Sequence, residues 1–312
     1  MKLISYLASS LAGILLFSSC SSDELVDHIV SSGDGNVSFS LQLPAELTTR
    51  AFGDGFKATT LTFAVYETGV TPVRPIIVSE DEYTFTDLHT TVNFRLANGK
   101  TYDIVFWADA PVEAPVMNPY TFDPDKQTIS VNYSGVTTNA ENRDAFFAAV
   151  RGLKVTGPVN ETVKLYRPFA QINLGTTDLD ESAVKNAYPN LRSSLETTAY
   201  QTLNLLTGEV SDPTGVVYAL AAAPTGEVFP KGSEYDYLSM NYLLVESNQS
   251  IVDCKYTFYN ALDPVYSLTV ANVPVQRNYR TNIFGALLTS EADFTIEIVP
   301  PFLKPDKDIE VK

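Results

Sequence analysis

The stretch Val37-Ser38-Phe39-Ser40-Leu41-Gln42-Leu43 alternates apolar and polar side chains without a break. Successive side chains of a strand point to opposite faces, so Val37, Phe39, Leu41 and Leu43 share one face and Ser38, Ser40 and Gln42 the other. A helix would spread the same four apolar residues around its circumference. The two-residue period recurs at 60–65, where Leu61, Phe63 and Val65 alternate with Thr60, Thr62 and Ala64. Further candidate strands lie at 83–87, 91–96, 102–108, 128–133, 145–149 and 161–166. The turn-forming Asn98-Gly99 and the loop-like segments 109–119 and 139–142 separate them. A second series covers 167–175, 198–206, 216–222, 237–244, 255–259, 265–270, 279–288 and Asp293–Val299. Only Ser182–Ala187 has the composition of a short helix, with 191–195 as a second candidate. No fixed-period repeat is present, which argues against solenoids and propellers. The expected fold is all-β, in sandwiches, with few short helices and a domain boundary near 165–168.

Upstream of the first strand, Met1-Lys2 is basic, 3–17 is mostly apolar, and Ser18-Ser19-Cys20 closes the run. That is the layout of a secretory signal peptide. Its apolar part is short of the roughly 20 residues that a spanning helix needs. A cysteine after small residues at the cleavage point resembles a bacterial lipobox, with Phe17 where leucine is usual. Acyl chains such as palmitate on Cys20 would anchor the protein at about 0.8 kcal/mol per buried CH₂. Ser21-Ser22-Asp23-Glu24 resembles the acidic tag that sends lipoproteins to the outer face of the outer membrane. Residues 1–19 are therefore expected as signal peptide and 20–35 as a lipid-anchored tether.

The chain has 312 residues and a net charge of −16, which excludes nucleic acid as a partner class. With Cys20 acylated, Cys254 has no disulfide partner and reads as a small buried hydrophobe. Two histidines, His28 and His89, are too few for a transition-metal site. No nucleophile elbow, phosphate loop or dinucleotide fingerprint occurs. Asp34-Gly35-Asn36, Gly53-Asp54-Gly55 and Asp123-Pro124-Asp125 lack the ligand spacing of a calcium loop and read as turns. Trp107, in the run Ile104-Val105-Phe106-Trp107, reads as core rather than as a sugar-stacking platform. No catalytic, metal or cofactor site is expected, and the chain does not read as an enzyme.

After the first strand comes Leu47-Thr48-Thr49-Arg50-Ala51-Phe52. Pro44, Gly53 and Gly55 mark an exposed loop around it, where a protease finds access. Cutting between Arg50 and Ala51 would free the strand carrying Val37, Phe39, Leu41 and Leu43. Four such side chains contribute about 6–12 kcal/mol of burial at 1.5–3 kcal/mol each, against a whole-domain stability of about 5–15 kcal/mol. The empty groove and its unpaired edges would demand another strand. The plainer alternative is that Arg50 is one exposed arginine in a linker.

Several blocks together resemble the fimbrillin-type lipoproteins of the type V pilin superfamily. They are the leader with Cys20, the segment around Arg50, Tyr102-Asp103-Ile104-Val105-Phe106-Trp107-Ala108 and Arg143-Asp144-Ala145-Phe146-Phe147. Arg167-Pro168-Phe169-Ala170-Gln171-Ile172-Asn173-Leu174 and Val273-Pro274-Val275-Gln276-Arg277-Asn278-Tyr279-Arg280-Thr281-Asn282-Ile283 complete them. The resemblance implies two transthyretin-like β-sandwich domains in tandem, 36–166 and 167–312. It implies a structural and adhesive subunit of a surface fimbrium, exported as a lipoprotein and trimmed at Arg50 by an arginine-specific protease. Assembly would follow by donor-strand exchange, a C-terminal strand of one subunit filling its neighbour's groove. The implied partners are other fimbrial subunits, the outer membrane through Cys20 before trimming, and host or bacterial surface ligands. Pro300-Pro301 interrupts the chain after Asp293–Val299 and the tail beyond is short and charged, which suits a tip or anchor better than a stalk unit. The alternative function is a surface glycan-binding lipoprotein of a nutrient-uptake system, which would keep its lipid.

Overall fold

The computed structural model describes residues 34–44, 52–79, 83–111, 118–289 and 293–299. Cys20, Arg50 and Ala51, with residues 1–33, lie outside the described residues; the last two residues of the expected tether, Asp34 and Gly35, instead open the first strand, where they pair with Ala97 and Leu96. In chain order the strands are β1 (Asp34–Gln42), β2 (Thr60–Glu67), β3 (Pro75–Val78), β4 (Tyr83–Thr84), β5 (His89–Ala97), β6 (Thr101–Asp109), β7 (Tyr120–Asp123) and β8 (Thr128–Val131). After a single 3-10 turn at Glu141–Arg143 come β9 (Phe146–Lys154), β10 (Val159–Lys164), β11 (Phe169–Thr176) and the helix α1 (Ser182–Ala187). Then follow β12 (Leu191–Asn204), β13 (Val210–Ala222), β14 (Asp236–Leu244), β15 (Ser250–Asn260), β16 (Asp263–Val275), β17 (Arg280–Ala286) and β18 (Asp293–Val299). The chain is all-β, and α1 is the only α-helix among the described residues.

The strands form four sheets: β10-β1-β5, β3-β2-β6-β9 with β4 beside β2, β16-β15-β12-β8-β7 with β13 beside β12, and β14-β11-β17-β18. Neighbours run antiparallel except β1 with β10 and β11 with β17. The run 104–108 is apolar without alternation because β6 has both faces covered. Tyr102, Ile104, Phe106 and Ala108 enter one core with β1, β5 and β10. Val105 and Trp107 enter the other, together with Phe169, Leu174 and Met240. Strands β2 and β9 divide in the same way: Phe63 and Phe146 face the first core, Ala64 and Phe147 the second. One sheet thus serves as the shared wall of two hydrophobic interiors.

Local propensity misjudged 191–195, read as a second helix. The segment opens β12 and pairs with β15 through Leu191↔Asn260 to Glu196↔Lys255. Two-sided sheet pairing decides its state, as tertiary context overrides weak propensity. Strand β13 begins ahead of the expected 216–222 and runs through Pro213 and Gly215; among the described residues β12 is its one strand partner in the sheet, so a missing amide is tolerated. Trp107 is core: it packs edge-on against Tyr120 at 5.1 Å and donates its Nε1–H to Asp109 Oδ2 at 3.0 Å.

Candidate functional site: the slot of the first strand

Strand β1 is the middle strand of its sheet. On one side it meets β5 antiparallel, from Asp34↔Ala97 to Gln42↔His89. On the other it meets β10 in parallel, from Val37↔Val159 to Gln42↔Lys164. The pattern fixes which face turns inward: Val37, Phe39, Leu41 and Leu43 are all buried, and Ser38, Ser40 and Gln42 are partly exposed. Phe39 has its ring centroid 5.5 Å from Phe106 and 6.1 Å from Phe94. Past the end of the strand the ladder continues, with Leu43 N–H donating to Leu88 O at 2.9 Å and Leu165 N–H to Gln42 O at 2.9 Å. At its start Gly35 is required by close approach: a Cβ there would stand 2.7 Å from Gly157 O and from Val155 Cγ1. The Asp34-Gly35-Asn36 triplet is therefore strand backbone squeezed against a neighbour.

The chain is next described at Phe52, and here it is held by groups that sequence reasoning did not single out. Gly53 N–H donates to Glu141 Oε1 at 2.8 Å. Arg280 Nη2 donates to Phe52 O at 3.1 Å, and Gln171 Nε2 reaches the same oxygen at 3.4 Å. Arg167 donates to Gly53 O. Arg167 is fully buried and grips the buried Asp144 at two points, Nε to Oδ1 at 2.6 Å and Nη2 to Oδ2 at 2.8 Å. Its guanidinium lies 4.6 Å from the Phe146 ring centroid. Such a pair is held by geometry, because desolvating both charges offsets most of their attraction. Phe52 packs edge-on against Tyr237 at 5.2 Å. Gly55, at φ +81°, faces Pro44: a Cβ there would lie 3.3 Å from Pro44 O. The two ends of the segment that contains Arg50 and Ala51 are therefore adjacent, one in the slot and one in this polar seat.

Burial pushes the Glu141 carboxyl up to about 8, with the nearby Asp144 adding to the effect and the Gly53 amide opposing it. Burial also pushes Asp144 upward, against the pull of Arg167. The sequence signal available for this seat was Asp144, at the end of the charged run Glu141-Asn142-Arg143-Asp144, and Arg167, each directly ahead of a strand-like apolar run.

The remaining candidates do not converge on the slot. Cys254 is a free, buried cysteine whose thiol is pushed by burial to about 12, so it is a neutral core group at physiological pH. His89 is exposed, with Nδ1 2.7 Å from Asp87 O. Among the described residues no cluster of His, Cys, Asp and Glu gathers as a metal site. A surface depression of about 480 Å³ lined by Glu196, Ile251, Asp253 and Lys255 has no aromatic side chain in its lining. No helix among the described residues is long and apolar enough to cross a membrane.

Comparison with solved structures places the fold. The tip fimbrial protein Mfa3 from Porphyromonas gingivalis, with a C-terminal truncation, superposes with a TM-score of 0.50 at 15% identity, covering 85% of this chain and 99% of that one. A fimbrial assembly protein from Parabacteroides distasonis gives a TM-score of 0.46 at 12% identity, covering 85% and 98% respectively. The fold is fimbrillin-like. By sequence the chain belongs to a family of unknown function, DUF6562, whose pattern matches residues 30–312. No curated protein matches it.

Proposed function

We propose that the protein is a structural and adhesive subunit of a cell-surface fimbrium, made competent for assembly by removal of β1. The observation that carries this reading is the position of β1. It is held on both edges, it contributes three buried apolar side chains and the adjoining Leu43 a fourth, and its far end leads directly into the segment with Arg50. Its departure would leave β5 and β10 with unpaired facing edges over an apolar floor, a slot shaped for one extended strand.

In this reading Cys20 carries the lipid that takes the folded chain to the outer membrane. An arginine-specific protease then adds water across the Arg50–Ala51 bond, giving the Arg50 carboxylate and the Ala51 amine. The lipid leaves with the released segment, and a strand of a second subunit enters by donor-strand exchange. The chain's own β18 offers a matching pattern. Phe294, Ile296 and Ile298 repeat, at the same spacing, the aromatic–aliphatic–aliphatic order of Phe39, Leu41 and Leu43. The likeness to a fimbrial tip protein in fold supports the same reading. An uncut Cys20-lipidated copy would serve as an anchor.

The test is the N-terminus of the protein recovered from the cell surface. Mass spectrometry should find it at Ala51 in assembled material, and Arg50→Ala should abolish detergent-resistant ladders on electrophoresis. Ladders that persist unchanged in that variant would sink the mechanism.

A further inference from the structure

The seat beneath Phe52 and Gly53 has a role that the slot alone does not require. We infer that Arg167, Arg280 and Glu141 form a clamp that fixes where proteolysis stops, so that trimming ends ahead of Phe52 and the slot wall survives the loss of β1. The inference rests on the proposed cut between Arg50 and Ala51.

Both main-chain polar groups of Gly53 and the carbonyl of Phe52 are bound by side chains from the body of the protein: Glu141 takes the amide, Arg167 and Arg280 the two carbonyls. Two of these partners, Asp144-bound Arg167 and Gln171-bound Arg280, are themselves held in place, Arg280 through Nε to Gln171 Oε1 at 3.1 Å. Charged donors on carbonyls make stronger hydrogen bonds than neutral ones. Phe52 adds a ring against Tyr237. Five residues on, the side chain of Lys57 is exposed, next to the exposed Phe56. The arginine-specific protease of the proposed function passes over a lysine, but a protease of broader basic specificity, such as trypsin, would find Lys57 if the backbone around it could extend. It is tied on both sides: by the clamp before it, and after it by Ala58, which is buried and donates its N–H to Gly55 O at 3.2 Å. Gly55 in turn lies against Phe146 and Leu88, residues of the core that β1 fills. Opening the chain at Lys57 would therefore damage the slot itself. Without the clamp, local unfolding of 52–58 would expose a second basic site.

The experiment uses the full chain and trypsin, with N-termini identified by mass spectrometry over a time course. In the unmodified protein the new N-terminus should be Ala51, with Ala58 absent or far slower. Arg280→Gln should raise the rate of cutting after Lys57 by roughly 10- to 100-fold, the size expected from losing a hydrogen bond to a charged group, and Phe52→Ala, which removes the ring packed on Tyr237 but keeps the carbonyl, should raise it less. The rate after Arg50 and the melting temperature should change little. Arg280→Lys, which keeps a cationic donor, should restore part of the protection. Arg167→Gln strands a buried carboxylate and is expected to misfold, so it is not the deciding variant. Cutting after Lys57 at the same rate in the unmodified protein and both variants would overturn the clamp while leaving the Arg50 reading intact. Resistance of Arg50 in every form would overturn that reading, and the clamp with it.

Discussion

Strands β1 and β18 carry nearly the same pattern and sit in opposite situations. Each places apolar residues at every second position, Val37, Phe39, Leu41 and Leu43 in one, Phe294, Ile296 and Ile298 in the other. Strand β1 is paired on both edges and its apolar face is closed. Among the described residues strand β18 pairs with β17 alone, through Arg280↔Val299 to Ala286↔Asp293, and its apolar side chains remain partly exposed. The difference teaches that alternation specifies a strand with one buried face, while topology decides how much that burial is worth. The proposed exchange draws on this asymmetry, between a strand that is costly to lose and one that is held on a single described edge.

The largest expected effect comes from deletion. Removing 34–44 strips about 6–12 kcal/mol of apolar burial and should abolish cooperative unfolding of the first core in calorimetry. Removing 293–299 should leave a cooperative transition at a lower midpoint. Equal outcomes for the two deletions would break the comparison. Next, Phe39→Ala should cost about 3–5 kcal/mol in denaturant unfolding, as for a fully buried aromatic. The same change at Phe294 should cost about 1 kcal/mol, the least of these effects, because its surface is already partly in water.

Between these two lies a pH effect specific to the β1 side of the molecule. With the folded-state Glu141 carboxyl at about 8 and its ordinary value at 4.5, the folded chain holds a proton that the unfolded chain has released. Stability should therefore fall as pH rises from about 4.5 to 8, by at most about 1.4 kcal/mol per pH unit from this group. Glu141→Gln keeps the acceptor for Gly53 N–H and should flatten that slope. Asp144, Arg167 and Asp54 face the same carboxyl and remain unchanged in the variant. An identical slope in denaturant melts of the two proteins would contradict the assignment.

The strand positions were legible where side-chain period and burial coincide. Asp293–Val299 and the helix at Ser182–Ala187 lie where composition placed them, and 37–43 falls on β1 extended backward to Asp34. Legibility failed for two physical reasons. Short edge strands such as β3, which begins at a proline, carry too little pattern to be seen. Segment 191–195 takes its state from β15, about 70 residues away in the chain by the pairing Leu191↔Asn260, which local composition cannot report. The polar seat escaped for the same reason. Its members, Phe52, Glu141, Asp144, Arg167 and Arg280, are scattered along the chain and meet only through the sheet arrangement.

A strand held along its whole length on both edges responds to pulling in a particular way. Force applied along the axis of β1 loads the bonds to β5 and β10 together, in shear, because neither edge can peel open one bond at a time. Any strand that takes the same place inherits that loading. On the proposed strand exchange, a joint made there would yield abruptly and late, and a filament built of such joints would carry flow or contact stress through its backbone ladders rather than through side-chain contacts.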